Sequence, residues 1–184
     1  MGHKRILGKT LDFITGREIT DTDDERYRQK LARILVEKKG YAKEDIEVKR
    51  RLEMTIDNKK VLSMVDIVIK INGSGVVVIR YGPGSIVTRE RPALASARIL
   101  EPYVIPLTIV TNGEDAEILD TATGDVIGTG LDAIPDKNSA LDYLKKIGLR
   151  TLATNQTETE KRILSAYDWL EHSLECDDDW CVEE

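Results

Sequence analysis

The sequence predicts a single α/β domain with a mixed central sheet flanked by helices. Three observations carry that expectation. Apolar residues alternate with polar ones across Leu52, Met54 and Ile56, as on a half-buried strand. A β-branched run, Met64 to Ile71, meets a second run, Val76 to Ile79, across Asn72–Gly73, a strong hairpin signal. On either side, apolar residues recur at helical spacing. A chain of 184 residues is long enough to bury one sizeable core.

Thr22 and Glu25 have the spacing of a capping box, and Tyr27, Leu31, Ile34 and Leu35 form the apolar face of the helix that follows. Lys38, Lys39 and Gly40 suit its end, where cations and a left-handed residue are tolerated. Ile46 and Val48 open the first extended stretch, and Asp57–Asn58 offers a turn. Val76 to Ile79 has the composition of a central strand covered on both faces. Gly82–Pro83–Gly84 breaks it, and a helix is expected from Glu90 to Leu100 with Pro92 in its first turn. Strands follow at Leu107 to Val110 and Ile118–Leu119, with Val126–Ile127 as a return. Leu141, Leu144 and Ile147 mark a helix, and Thr157 with Glu160 is read as the capping box of a last one. The expected organisation is a domain over residues 1–153, with a helix and acidic tail over 154–184 packed on it.

The net charge of −6 argues against a generally basic, nucleic-acid-coating surface, while leaving room for a local basic patch. No apolar run reaches membrane-spanning length and the first dozen residues lack a signal-peptide core, so a cytoplasmic protein without a membrane partner is expected. Cys176 and Cys181, with His172 nearby, form an incomplete zinc set within a solvated acidic tail. His3 and His172 match no triad spacing. Trp169 is read as packing of the last helix, and Trp180 is left open.

Four pieces, in order, carry a family likeness: Glu25–Arg26–Tyr27–Arg28–Gln29–Lys30, Gly40–Tyr41 with Ile46–Glu47–Val48, Val65–Asp66–Ile67–Val68, and Thr111–Asn112–Gly113. With them the stretch from Asp21 to Gly124 resembles the N-terminal nuclease domain of type I restriction enzyme R subunits, in a short form without the motor. The resemblance implies a restriction endonuclease-like fold. It also implies a Mg²⁺ site built from one acid on the first hairpin strand, a second acid on the next strand and a lysine two residues beyond it. Hard oxygen ligands suit that metal, and a period of two puts the acid and lysine on one face.

Asp66 stands at the first acidic position and is the candidate catalytic and metal-binding residue. The second strand departs from the pattern. Arg80 stands where the family places Glu, and Gly82 where it places Lys. Arginine has no acceptor for a metal, and glycine has no side chain to offer. The glutamine often found on the following helix is also missing, because none occurs between Gln29 and Gln156. A degenerate site is therefore expected, with no cofactor, or Mg²⁺ if activity survives. Glu25, Glu47, Glu53 and Glu90 are candidate replacement acids, and Lys49, Arg50, Arg80, Arg89 and Arg91 candidate cations. Asp66 is expected to pair with Arg80 across the hairpin.

Arg80, Arg89, Arg91 and Arg98 are candidates for a strip that contacts DNA or RNA phosphates; the alternative is a solvated helix face. Gly82–Pro83–Gly84 is read as a turn before it is read as an anion cradle. Three functions follow: a non-catalytic nuclease-like domain binding nucleic acid or a protein partner, a Mg²⁺-dependent DNA endonuclease with a rearranged site, and a structural or regulatory homodimer.

Overall fold

Two antiparallel runs of three strands, joined by one parallel crossover, generate the main sheet of this protein. The computed structural model describes residues 6–174. Strands β1 (Ile6–Leu11) and β2 (Glu18–Thr22) pair as a separate hairpin ahead of helix α1 (Asp23–Glu37). Then come β3 (Ile46–Ile56), β4 (Lys59–Ile71), β5 (Ser74–Tyr81), α2 (Val87–Ile99), β6 (Leu107–Thr111), β7 (Ala116–Asp120), β8 (Val126–Thr129), α3 (Lys137–Ile147) and α4 (Thr154–Leu174). The six strands β3 to β8 lie in chain order. Only β5 and β6 are parallel, because α2 carries the chain between them. The fold is thus α/β with a mixed six-stranded sheet, consistent with a restriction endonuclease-like fold.

The hairpin between β4 and β5 turns on Asn72 and Gly73 alone. Both have positive φ, 53° and 81°, as a tight turn matching strand twist requires. Each of Val76 to Ile79 is fully buried, because β5 lies inside the sheet with helices on both faces. One face packs Ile67, Ile69, Val77, Ile79, Leu107 and Ile109 against Leu31 and Leu35 of α1 and Ala140 of α3. The other packs Val65, Val68 and Val78 against Ala95 and Ala97 of α2 and Leu164 of α4.

Along β4, strict alternation fails at Asp66 and Ile67. Val65 and Val68 face α2 and α4, Ile67 faces α1, and the Asp66 carboxylate also reaches α1. The β3–β4 ladder skips from Val48↔Ile67 to Arg50↔Val65, and the β4–β5 ladder stops at Ile67↔Ile79. Asp66 therefore sits where β4 leaves both neighbours.

Several expectations need correction. The segment before Thr22 forms the β1–β2 hairpin, to which the sequence pattern assigned no strands. Helix α2 starts three residues before Glu90. Thr157 lies inside α4, which begins at Thr154, so Thr157 and Glu160 do not cap it. The Thr157 hydroxyl donates to the Ala153 carbonyl, and Glu160 turns to α2. Thr22 does cap α1, accepting from the Glu25 amide at 3.1 Å, but the Glu25 carboxylate does not return to close a box. Cys176, Cys181, Trp180 and His3 lie outside the described residues, as do the side chains of Trp169 and His172. Among the described residues no helix is long and apolar enough to cross a membrane.

Leu164 ties α4 into the second core, where it is fully buried. Leu164→Ala is expected to cost about 3 kcal/mol in urea unfolding, the usual range for a buried leucine. A loss below about 1 kcal/mol would mean that α4 is only a surface appendage.

Candidate functional site

Helix geometry places Glu25, Arg28 and Gln29 on one face of α1, at i, i+3 and i+4. That face looks at the irregular point of β4. Arg28 bridges two acids there: Nη2 lies 3.0 Å from Glu25 Oε2, and Nη1 lies 3.0 Å from Asp66 Oδ1. The second Asp66 oxygen accepts the Tyr81 backbone N–H at 2.8 Å. Asp66 thereby satisfies a donor freed where the β4–β5 ladder ends.

Lys49 approaches from β3, its ammonium 3.1 Å from Glu25 Oε2. Its φ is 53°, an uncommon left-handed conformation for a side-chain-bearing residue. Gln29 completes the cluster. Its amide nitrogen donates to Asp12 Oδ2 and to Glu25 Oε1, each at 2.9 Å, and its oxygen accepts the Phe13 N–H at 2.6 Å. The loop between β1 and β2 is thus pinned to α1 through Asp12 and Phe13.

Glu25 is almost wholly buried, at 3% exposure. Burial pushes its carboxyl up, but Arg28, Gln29 and Lys49 together outweigh that and hold it below its ordinary value. Burial works against the Arg28 charge, and Asp66 and Glu25 overcome it, leaving the guanidinium held above its usual range. Glu25, Asp66, Arg28 and Lys49 each have an oppositely charged partner, and the buried Asp12 is satisfied by Gln29 and two backbone N–H groups.

The residues present do not fit a divalent cation. The space they leave is about 10 Å³, scarcely room for one water molecule. Among the described residues no group of three His, Cys, Asp or Glu side chains is placed to hold a metal. The guanidinium of Arg28 lies between the two acids.

Asp66 and Arg80 do not pair, which corrects the expectation from the hairpin. The side chain of Arg80 goes to the α2–α4 face, where Nη2 lies 3.1 Å from Asp168 Oδ1 of α4. Asp66 has already turned to α1 at the break in alternation. Of the other three arginines in the expected strip, Arg91 and Arg98 share one carboxylate, Glu160 of α4, at 2.6 and 2.8 Å. Arg98 also donates to the Thr121 carbonyl. Arg89 folds back over the strand end and donates to the Pro83 carbonyl at 3.2 Å. A β-carbon at Gly82 would lie 2.3 Å from the Arg89 guanidinium, so Arg89 takes the space that a side chain at Gly82 would need.

Among the replacement candidates, Glu25 and Lys49 join Asp66, while Glu47 pairs with Lys70 and Arg50. Sequence reasoning assigned no role to Asp12, Arg28 or Gln29. The available signal was the helical spacing of Glu25, Arg28 and Gln29 beside the apolar Leu31, Ala32 and Leu35. In the Thr111–Asn112–Gly113 piece, Gly113 has φ 89°, and a β-carbon there would strike the Tyr27 ring at 2.3 Å. Tyr27 in turn stacks on Tyr81, with centroids 5.8 Å apart.

The family model for the type I restriction enzyme R protein N terminus matches residues 23–135. That span holds α1, the whole sheet and α2, including Glu25, Arg28, Lys49 and Asp66. No curated protein and no solved structure matches the chain.

Arg28→Ala leaves Asp66 without a cation and Glu25 with Lys49 alone, and a loss of about 3 kcal/mol is expected in urea unfolding. Arg28→Lys should recover only part of it, because an ammonium cannot repeat the forked geometry. A near-neutral Arg28→Ala would contradict the bridging role. The depressed Glu25 carboxyl also sets a pH dependence. Below its ordinary value, 4.5, the unfolded chain binds the proton first, so stability present above pH 4.5 is lost as pH falls through the folded value. Glu25→Gln is expected to flatten that acid limb; an unchanged limb would place the titration elsewhere.

Proposed function

This chain belongs to the family of type I restriction enzyme R protein N termini, and from that premise we propose that it is a non-catalytic nuclease-like domain that binds nucleic acid. The carrying observation is the Arg28 guanidinium held between Glu25 and Asp66. Metal-assisted phosphodiester hydrolysis needs carboxylate oxygens free to hold a cation and polarise the phosphate. Here both acids are turned onto cations of the chain itself. The second strand adds to the argument, with Arg80 and Gly82 at the positions of the family's acid and lysine.

Nucleic acid is the partner that family membership favours. The four arginines Arg80, Arg89, Arg91 and Arg98 contribute to it less than their charge suggests, because three of them are bonded to carboxylates of α4. A protein partner is the alternative that those neutralised charges leave open.

One observation favours a rearranged endonuclease instead. Lys49 reaches the acids from a different strand, so Asp66, Glu25 and Lys49 supply an acid pair and a lysine within one cluster. That reading requires Arg28 to leave first.

Calorimetric titration with Mg²⁺ and with Mn²⁺ is expected to show no saturable binding, and supercoiled plasmid DNA is expected to stay intact with either ion. Metal-dependent nicking that disappears in Asp66→Ala would overturn the non-catalytic reading and establish the rearranged site.

A further inference from the structure

A groove of about 550 Å³ lies outside the acid–cation cluster, between the β1–β2 hairpin and the outward side of α1. Arg26, Lys30, Arg33 and Lys38 line it, and all four are exposed. Arg26, Lys30 and Arg33 share one side of the helix, at i, i+4 and i+7 over about 10 Å at its rise per residue, and Lys38 is its C-cap. Two carboxylates face them. Asp21 is buried and consumed by a forked pair with Arg26, at 2.7 and 2.8 Å. Glu37 lies 4.0 Å from Arg33. Four cations against two acids leave the groove net positive, on a chain whose net charge is −6.

Two further features mark the groove as built. Gln29 lines it and also fixes the hairpin loop through Asp12 and Phe13, so the wall opposite α1 is held in place. Phe13 in turn carries Arg33 and Lys43 over its ring, 4.4 and 4.1 Å from the centroid. Arg33, which lines the groove, is thereby held on the hairpin loop by its contact with the Phe13 ring.

We propose that this groove is where the domain takes hold of nucleic acid, through the phosphate backbone and without base readout. The proposal rests on the nucleic-acid reading above and names its surface, in place of the strip of four arginines. Open, water-exposed Arg and Lys suit phosphates, whose binding is dominated by charge neutralisation. A peptide site would be expected to offer aromatic or apolar anchor pockets, and here, among the described residues, the only apolar side chain in the lining is Ile34. The groove also adjoins the nuclease-like cluster, because Gln29 lines both.

Fluorescence anisotropy with a labelled DNA duplex and a labelled single strand, each over a range of salt, tests this on the full chain. Wild type is expected to bind with a steep salt dependence. Lys30→Ala combined with Arg33→Ala should weaken binding and lower the salt slope by about 2. Lys145→Ala combined with Lys146→Ala, an equal charge change on α3, should leave it unmoved. The Lys30 and Arg33 positions are exposed, an unchanged thermal melt verifies folding, and Arg33→Lys should retain the wild-type slope. If wild type binds and both double variants keep its slope, the groove is wrong while the nucleic-acid reading stands. If wild type binds neither probe, the nucleic-acid reading itself falls. If a polyglutamate peptide binds where both nucleic acids fail, the groove serves an acidic protein and the proposal is overturned.

Discussion

The guanidinium of Arg28 holds α1 to β4, and much of the molecule is arranged around that contact. Two acids, Glu25 and Asp66, come from elements far apart in sequence and meet one cation in a nearly dry space. Such a triad is stable only when every charge is partnered, because an isolated buried charge is very costly. The consequences spread outward. Asp66 must leave both strand ladders to reach α1, so Tyr81 finds a side-chain acceptor in place of a backbone one. Lys49, opposite Asp66, takes a left-handed conformation and turns its ammonium to Glu25. Gln29, one residue beyond Arg28, links Glu25 to the β1–β2 loop.

The sheet separates two uses of charge. On the α1 face, cations neutralise acids where a nuclease of this family would gather acids around a metal. On the α2–α4 face, carboxylates of α4 neutralise arginines that would otherwise be free for phosphate. Asp168 takes Arg80, and Glu160 takes Arg91 and Arg98 together. Both arrangements turn groups that resemble a functional inventory into internal structure. Belonging to a family sets a fold and a position for a site, while the chemistry depends on which side chains remain available there. The outward side of α1 differs, because its cations outnumber the acids beside them.

Much of the fold was legible in the chain. Asn72–Gly73 marked the hairpin because few residues tolerate two successive positive φ values. The run Val76 to Ile79 marked the central strand because only a strand covered on both faces is apolar at every position. The β1–β2 hairpin was missed because Ile6–Leu11 is largely exposed and shows little apolar alternation. The start of α4 was misplaced because Thr157 and Glu160 have capping spacing, while Glu160 is drawn to two arginines distant in sequence.

By itself the sequence determined the family, the order of strands and helices along the chain, and which residues, Asp66, Arg80 and Gly82, stand along the hairpin. Those follow from local pattern and residue identity. Only the tertiary structure decided what Asp66 binds. Pairing across the hairpin looked natural because strict alternation would put Asp66 and Arg80 on one face. The break at Asp66 and Ile67 sends the two side chains to opposite faces, each toward a different helix. A local break in alternation, with the strand register kept on both sides, leaves no mark in composition or spacing, and here it determines which charges meet.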